Sequence, residues 1–390
     1  MPLNTGFTTG SWYSQRLFPI RRGGHSEFAF WDAIQQSAYL PVFKSLRFKK
    51  RLGEGATFIV DLYEDSSESD GATQTLLAVK TAKLPERYTT DPPDNLDNPY
   101  DSSIDLHSIL MESLVLNFTP LADHPNIVDL LGMDWAMTGA GFPVLRLVVE
   151  YAQHGTLDTF LQQHSGIGLE GKLKFWLDIS LGLEMIHSCE LVHGDLKLVN
   201  ILVFEEGDSK LTAKISDFGC TLTDFNDNVS QRYRGTARYR APELSDRPSL
   251  GLLDSQRCDV FALGLCFWEI LNNGKPYFLT GGTNTSSSDT STHDLTEMFN
   301  RFAGQLSTES DIQGEPNGTV NPEFNQSTGH SAHTNALGLG LTKPAILDLI
   351  RHTIHIDPLQ RFPIGTIAVN LGRYGNPIVY LYSGGMCFGC

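Results

Sequence analysis

The chain has 390 residues, 41% apolar and 19% charged, enough to build a sizeable core and too apolar for wholesale disorder. Lys and Arg number 29 against 45 Asp and Glu, a formal net charge of −16. That balance argues against a nucleic acid or an anionic membrane as main partner, since both need a basic face.

Length alone allows two or three domains of about 150 residues. No stretch reaches the roughly 18 uninterrupted apolar residues of a membrane span. The longest, Val260 to Leu271, is interrupted by Glu269 and reads as a buried helix. The first 20 residues show no basic start followed by an apolar run, so no secretory signal is expected. Six cysteines make no disulfide framework in a chain of this size. Cys189, Cys220, Cys258 and Cys266 lie singly in or beside apolar stretches, as core thiols do. Cys387 and Cys390 form a terminal C-x-x-C, open to reading as half a metal site, a lipidation box or an unpaired tail. A reduced setting is expected, cytoplasmic, with the nucleus also open.

Residues 1–45 show no periodicity and are read as an N-terminal extension. SLRFKKRLGEG, ATFIVDLYED and TQTLLAVKTAKL follow as consecutive antiparallel strands. A polar loop runs through RYTTDPPDNLDNPYDSSID. IDLHSILMESLVLNF has helical spacing, with Leu106, Ile109, Leu110, Ser113, Leu114 and Asn117 near one face. HPNIVDLLGMDW and VLRLVVEY read as two more strands. After Tyr151 the pattern turns helical: Leu173, Trp176, Ile179, Leu183 and Ile186 recur at steps of three and four. Short β-like pieces surround NILVF and AKISDF, and DVFALGLCFWEIL is apolar nearly all round, a buried helix. Residues 281–340, rich in Ser, Thr, Gly and Asn, read as a low-complexity insertion with one helix at HDLTEMFNRFAG. TKPAILDLIRHTIHIDP resumes helix, and 366–390 reads as an irregular tail.

The residues able to carry chemistry are spread along this outline. Gly53-Glu54-Gly55 joins two strands, where missing side chains let backbone amides approach phosphate oxygens; an ordinary hairpin turn has the same sequence. Lys80 ends an apolar strand and Glu112 lies in the next helix. His193-Gly194-Asp195-Leu196-Lys197-Leu198-Val199-Asn200 sets four polar groups in eight residues, then runs into an apolar strand. Ile215-Ser216-Asp217-Phe218-Gly219, Arg240-Ala241-Pro242-Glu243, Asp259 and Arg361 follow in that order.

In this order and with these gaps, from about Arg51 to Phe362, the set resembles the eukaryotic protein kinases. The resemblance implies an α+β bilobal fold, with a small antiparallel-sheet lobe (about 46–150) and a larger, mainly helical lobe (about 151–365). It implies ATP and Mg²⁺. Lys80 would hold the α- and β-phosphates and pair with Glu112. Asp217 and Asn200 would hold the metal. Asp195 would accept or orient the substrate hydroxyl proton, and Lys197 would stabilise the transferring phosphoryl group. Leu52, Gly53, Gly55, Val60, Ala78 and Leu202 would line the nucleotide site. The backbone of Glu150 to Ala152 would form the hinge, with Val149 guarding the pocket behind it. His193 and Phe218 would be packing residues, Glu243 and Arg361 a buried ion pair, and Asp259 an anchor for the catalytic loop. Lys197 and Gly235-Thr236 resemble the serine/threonine-specific members, so the expected partner is a protein with a Ser or Thr acceptor, met by a monomer.

Two motif residues depart from that pattern. Gly194 replaces an arginine that normally meets an activation-segment phosphate, which points to activity less dependent on such phosphorylation, although Thr221, Thr223 and Ser230 remain candidate acceptors. Phe58 replaces the third glycine of the phosphate loop and is expected to stiffen or cap it. Two rivals share part of the pattern. Aminoglycoside- and choline-kinase-like enzymes also carry H-G-D but lack Ala-Pro-Glu, and a pseudokinase scaffold characteristically loses Lys80 or an aspartate. The acidity is local: 61–70 carries −5, 91–105 carries −5 and 281–340 carries −6, which leaves the rest formally neutral.

Overall fold

The computed structural model describes residues 43, 46–55, 57–65, 75–83, 106–137, 143–207, 210–223, 231–280 and 343–372. Apart from Phe43, the N-terminal extension lies outside the described residues. So do the 281–340 insertion, with the helix expected there, and the tail beyond 372.

The first lobe is built on five strands: β1 (Leu46–Glu54), β2 (Phe58–Asp65), β3 (Thr75–Ala82), β4 (Leu130–Met137) and β5 (Pro143–Glu150). They form one antiparallel sheet in the order β1-β2-β3-β5-β4. The run Leu77-Ala78-Val79 is buried throughout because the two faces of β3 are both covered. Leu77 and Val79 pack with Val148 on one face, and Ala78 joins the main core on the other.

Helix α1 (Leu106–Leu116), followed by the short α2 (Thr119–Ala122), packs against two neighbours at once. Ile109 lies with Phe58, Met133 and Leu145 of the sheet, while Met111, Val115 and Leu116 join the main core. The buried surface extends to the apolar positions beside the expected face, and Leu114 and Asn117 on that face are only half-buried.

The second lobe contains α3 (Leu157–Gln163), α4 (Leu169–Ser188), the ribbon β6 (Ile201–Glu206) with β7 (Lys210–Ile215), the two-residue pair β8 (Gln231–Arg232) and β9 (Ser249–Leu250), α5 (Leu252–Leu271), α6 (Tyr277–Thr280), α7 (Lys343–Thr353) and α8 (Ile364–Gly372). The expected stripe on α4 is fully buried. Trp176 of α4 stacks on Phe267 of α5 with ring centroids 3.6 Å apart, so the two long apolar helices form the lobe's centre. Residues 366–372 are helical rather than irregular. Ile364, Ile367, Ala368 and Leu371 recur at helical steps and are buried, and α8 packs on α4. Of the four internal cysteines, Cys258 and Cys266 are core thiols, whereas Cys189 and Cys220 are half-exposed. Among the described residues no helix is long and apolar enough to cross a membrane.

Glu243 and Arg361 clamp the lobe from 118 residues apart. Arg361 meets both carboxylate oxygens, at 2.7 and 2.9 Å, and donates to the carbonyls of His355 and Arg257. Its guanidinium lies 4.9 Å from the Phe261 ring centroid. Both side chains are almost wholly enclosed, so every donor needs a partner and the planar fork supplies the geometry.

Candidate active site

The segment between α4 and β6 holds the densest polar network, and Asp259 of α5 is its foundation. Its Oδ2 accepts the His193 amide at 2.8 Å and His187 Nε2 at 3.0 Å; its Oδ1 accepts the Gly194 amide at 3.0 Å and the Tyr233 hydroxyl at 2.8 Å. Burial alone would raise this carboxyl's pKa, but His187, His193 and Tyr233 hold it below its ordinary value. A buried carboxylate with four donors is satisfied, and it fixes the backbone on which Asp195 stands.

Gly194 turns that backbone with φ +81°, and a Cβ there would come within 2.3 Å of the Cys220 carbonyl oxygen. A Cβ on Gly235 would come as close to the carbonyl of Gly194. Val192 and Leu222 exchange two backbone hydrogen bonds at 3.1 and 2.9 Å. Catalytic loop and activation segment are thus in backbone contact at the position where the kinase pattern has an arginine, and glycine is what permits it. Thr221 is buried, Thr223 is half-buried, and Ser230 lies outside the described residues, so Thr221 loses its standing as an accessible acceptor.

The oxygens of Asp195 meet three groups. Lys197 Nζ is 2.7 Å from Oδ2, the Thr236 amide donates to Oδ1 at 2.6 Å, and the Asn200 side-chain amide donates to the Asp195 carbonyl at 2.8 Å. Lys197 also donates to the Thr236 hydroxyl at 2.8 Å. Burial would raise the Asp195 pKa, but Lys197 and the Thr236 donors outweigh it and hold the carboxyl below its usual range. His193 is fully buried, accepts the Asp195 amide on Nδ1 and contacts Phe218 edge-on at 5.3 Å, a packing role as expected.

Ser216 donates from both its amide and its hydroxyl to the Asn200 carbonyl at 2.9 Å, which ties the end of β7 to the catalytic loop. Asp217 follows with φ +65°, a conformation uncommon for a residue with a side chain and one found at functional sites. Because the Asn200 nitrogen is committed to the loop, its amide oxygen is the atom left to meet a cation. A carboxylate and an amide oxygen are hard donors that suit Mg²⁺, which takes one or two protein ligands and completes its shell with phosphate oxygens and water. Among the described residues no cluster of three or more His, Cys, Asp or Glu forms a self-sufficient metal site.

In the first lobe Lys80 and Glu112 form a direct ion pair. Burial opposes the Lys80 charge, but Glu112 and Asp217 more than offset it and raise the pKa, so the ammonium is retained. The Lys80 Nζ also lies 4.7 Å from the Phe58 ring centroid. Phe58 thus points into the lobe and packs with Ile109 and Met133, rather than capping the phosphate loop. Its carbonyl accepts the Gly55 amide at 2.8 Å and closes the turn.

Val60, Ala78, Val149, Ala152 and Leu202 converge in one apolar cluster, while Leu52 remains exposed. Gly53 pairs with Val60 across β1 and β2. The Gly155 carbonyl accepts the Val203 amide at 2.9 Å, which brings β6 and Leu202 up to the hinge. The Glu150 amide donates to Asp129, and its carboxylate is held by Lys214 at 2.7 Å. The hinge groups turned to other duties are therefore the Glu150 amide and side chain. Lys214 and Tyr233 escaped sequence reasoning. Lys214 stands in an alternating strand like any solvent-facing lysine, and Tyr233 is defined only by an aspartate 26 residues away.

A family model described as the protein kinase domain matches residues 47–369. The chain is 32% identical over 155 residues to the serine/threonine-protein kinase STY17 of Arabidopsis thaliana, covering 40% of this chain and 25% of that protein. It is 27% identical over 207 residues to the serine/threonine/tyrosine-protein kinase HT1 of Arabidopsis thaliana, covering 52% and 46%. It is 34% identical over 166 residues to the ephrin type-A receptor 7 of Gallus gallus, covering 40% and 15%. The matched region spans less than half the length of these relatives. With the family match covering most of the sequence, the chain belongs to the protein kinase domain family.

Proposed function

We propose that this protein is an ATP-dependent serine/threonine protein kinase with Asp195 as the group that receives the acceptor's proton. The observation that carries this reading is the Asp195–Lys197–Thr236 triangle. Thr236 binds Asp195 through its amide and Lys197 through its hydroxyl, so acceptor platform and catalytic pair are one unit.

Phosphoryl transfer needs positioning and charge neutralisation more than covalent help. Lys80, braced by Glu112, grips the phosphates. Asn200 and Asp217 would hold Mg²⁺, which when bound neutralises charge on the phosphate oxygens. Lys197 offsets charge on the transferring group. Asp195, ionised at neutral pH, aligns the hydroxyl. As that oxygen bonds to the γ-phosphorus, the bond to the bridging oxygen breaks, the electron pair leaves with ADP and Asp195 takes the proton. Glu150 and Ala152 offer backbone groups to the adenine edge, between Ala78 and Leu202.

Gly194 supports activity with little dependence on activation-segment phosphorylation, because direct backbone packing stands where an arginine–phosphate contact would be needed. The test is transfer from labelled ATP to generic protein substrates, followed by phosphoamino-acid analysis, with Asp195→Asn as control and phosphatase-treated enzyme alongside. Phosphoserine and phosphothreonine from treated and untreated enzyme alike support the reading. Phosphotyrosine alone, transfer only to small alcohols, or ATP binding without transfer would each overturn it.

A further inference from the structure

Four arginines stand symmetrically about Thr236: Arg232, Arg234, Arg238 and Arg240, with no acidic residue among the nine positions they span. The local charge is +4 in a chain whose total is −16. Arg232, Arg234 and Arg238 are exposed. None of the four meets a carboxylate among the described residues, whereas Arg51, Arg257 and Arg361 each do. Arg240 is spent on structure, donating to the carbonyls of Gly235 and Arg234. Arg238 is held 4.3 Å from the Phe278 ring centroid, and its carbonyl accepts the Tyr277 hydroxyl, so its guanidinium is oriented before any ligand arrives.

This inference rests on the kinase reading above and concerns its acceptor. A peptide that offers its hydroxyl to Asp195 must pass along the segment around Thr236, because Thr236 touches both Asp195 and Lys197. Its flanking side chains then lie among guanidiniums that meet no carboxylate among the described residues. A guanidinium presents a planar fork that matches a carboxylate or a phosphate. Basic flanks would meet like charge, which costs affinity and slows encounter. We propose that the acceptor peptides of this kinase carry acidic side chains, carboxylate or phosphate, flanking the Ser or Thr, recognised by Arg234 and Arg238 with Arg232 as the outer contact.

The experiment compares kcat/KM for four peptides that share one acceptor and differ in flanks: Asp/Glu, phosphoserine, Ala and Arg. The enzyme is phosphatase-treated first, so that its own phosphates do not fill the patch. At low salt the acidic peptides are expected to exceed the Ala peptide by about tenfold, with the advantage shrinking as salt rises. The carboxylate and phosphate arms show which anion is preferred. In Arg232→Ala/Arg234→Ala the acidic-to-neutral ratio should fall towards one. In Arg234→Glu/Arg238→Glu it should invert in favour of the Arg peptide, with KM for ATP unmoved. Inversion also guards against a variant that merely folds poorly, since misfolding lowers all four rates together. Equal use of acidic and neutral peptides, preference for the Arg peptide, or a ratio unchanged in both variants overturns the proposal while leaving kinase activity intact. No transfer to any peptide removes the kinase reading and this inference with it.

Discussion

The Tyr233 hydroxyl donates to Asp259 Oδ1 at 2.8 Å, the same oxygen that accepts the Gly194 amide at 3.0 Å. One carboxylate therefore fastens the activation segment and the catalytic loop together. Tyr233 is fully enclosed, and burial followed by the Asp259 charge pushes its phenol well above the usual value, so it stays a donor at all working pH values. Tyr233→Phe keeps the ring and removes the donor. A hydrogen bond to a charged group contributes about 1.5–3 kcal/mol, and that loss is expected in chemical denaturation. Because the segment carrying Thr236 loses a tether, kcat should fall and KM for the peptide rise, while KM for ATP holds. Equal changes in all three would point to general loss of folded protein.

Restoring the family's usual arginine should damage this protein rather than improve it. At Gly194 the obstacle is the first side-chain atom, 2.3 Å from the backbone oxygen of Cys220, on a backbone with φ +81°. Strain at such a φ alone costs about 1–3 kcal/mol, and a clash with backbone adds to it. Gly194→Ala and Gly194→Arg are thus expected to destabilise by similar amounts, measured by thermal unfolding. A stable Gly194→Arg protein with activity newly dependent on phosphorylation would show that the segment can be re-hung on a phosphate.

How much of this was legible beforehand differs by residue. Lys80, Glu112, Asp195, Asn200 and Asp217 stand in a fixed order, and the structure brings them into two linked groups, Lys80 with Glu112 and Asp217, and Asp195 with Asn200. Helices α4 and α5 were legible because apolar spacing at three and four, or an all-apolar run, encodes burial directly. Of the two roles expected of Phe58, capping fails because a missing glycine says what the loop lacks and not where the ring goes; the cluster with Ile109 and Met133 decides that. Helix α8 was hidden in a tail of Gly and aromatic residues, its apolar steps meaningful only against α4. Tyr233 and Lys214 act through partners far off in sequence, which no local pattern encodes.

Glu269 gives stability a pH dependence of its own. It is buried in α5, accepts the Tyr239 hydroxyl at 2.9 Å and the Tyr277 amide at 3.1 Å, and burial raises its pKa to about 7. The folded state then holds this proton more tightly than the unfolded chain, whose value is near 4.5. Its contribution is complete below that value and is lost as pH rises towards 7, by about 3 kcal/mol at most. His124 works oppositely, since burial lowers its pKa to about 4 and its contribution is lost as pH falls through and below 6.5. Glu269→Gln keeps an acceptor for both donors and cannot ionise. The difference in unfolding free energy between the two proteins should therefore shift in favour of Gln from pH 5 to pH 8. A difference independent of pH would mean that Glu269 keeps an ordinary pKa.

The Glu243–Arg361 clamp makes the sharpest demand on chemistry, since it is enclosed and distant in sequence. Removing one partner leaves the other's charge buried and unpaired, so Arg361→Ala and Glu243→Ala should each cost about 3–5 kcal/mol. Arg361→Lys retains the charge but cannot span both carboxylate oxygens or satisfy His355 and Arg257 together, so it should recover only part of that loss. The double variant Glu243→Ala/Arg361→Ala should be markedly less damaged than the sum of its single changes, because neither charge is then stranded. A double-mutant cycle by denaturant unfolding measures this. Simple additivity would mean that the two residues act through separate contacts, Arg361 chiefly through Phe261 and the carbonyls it meets.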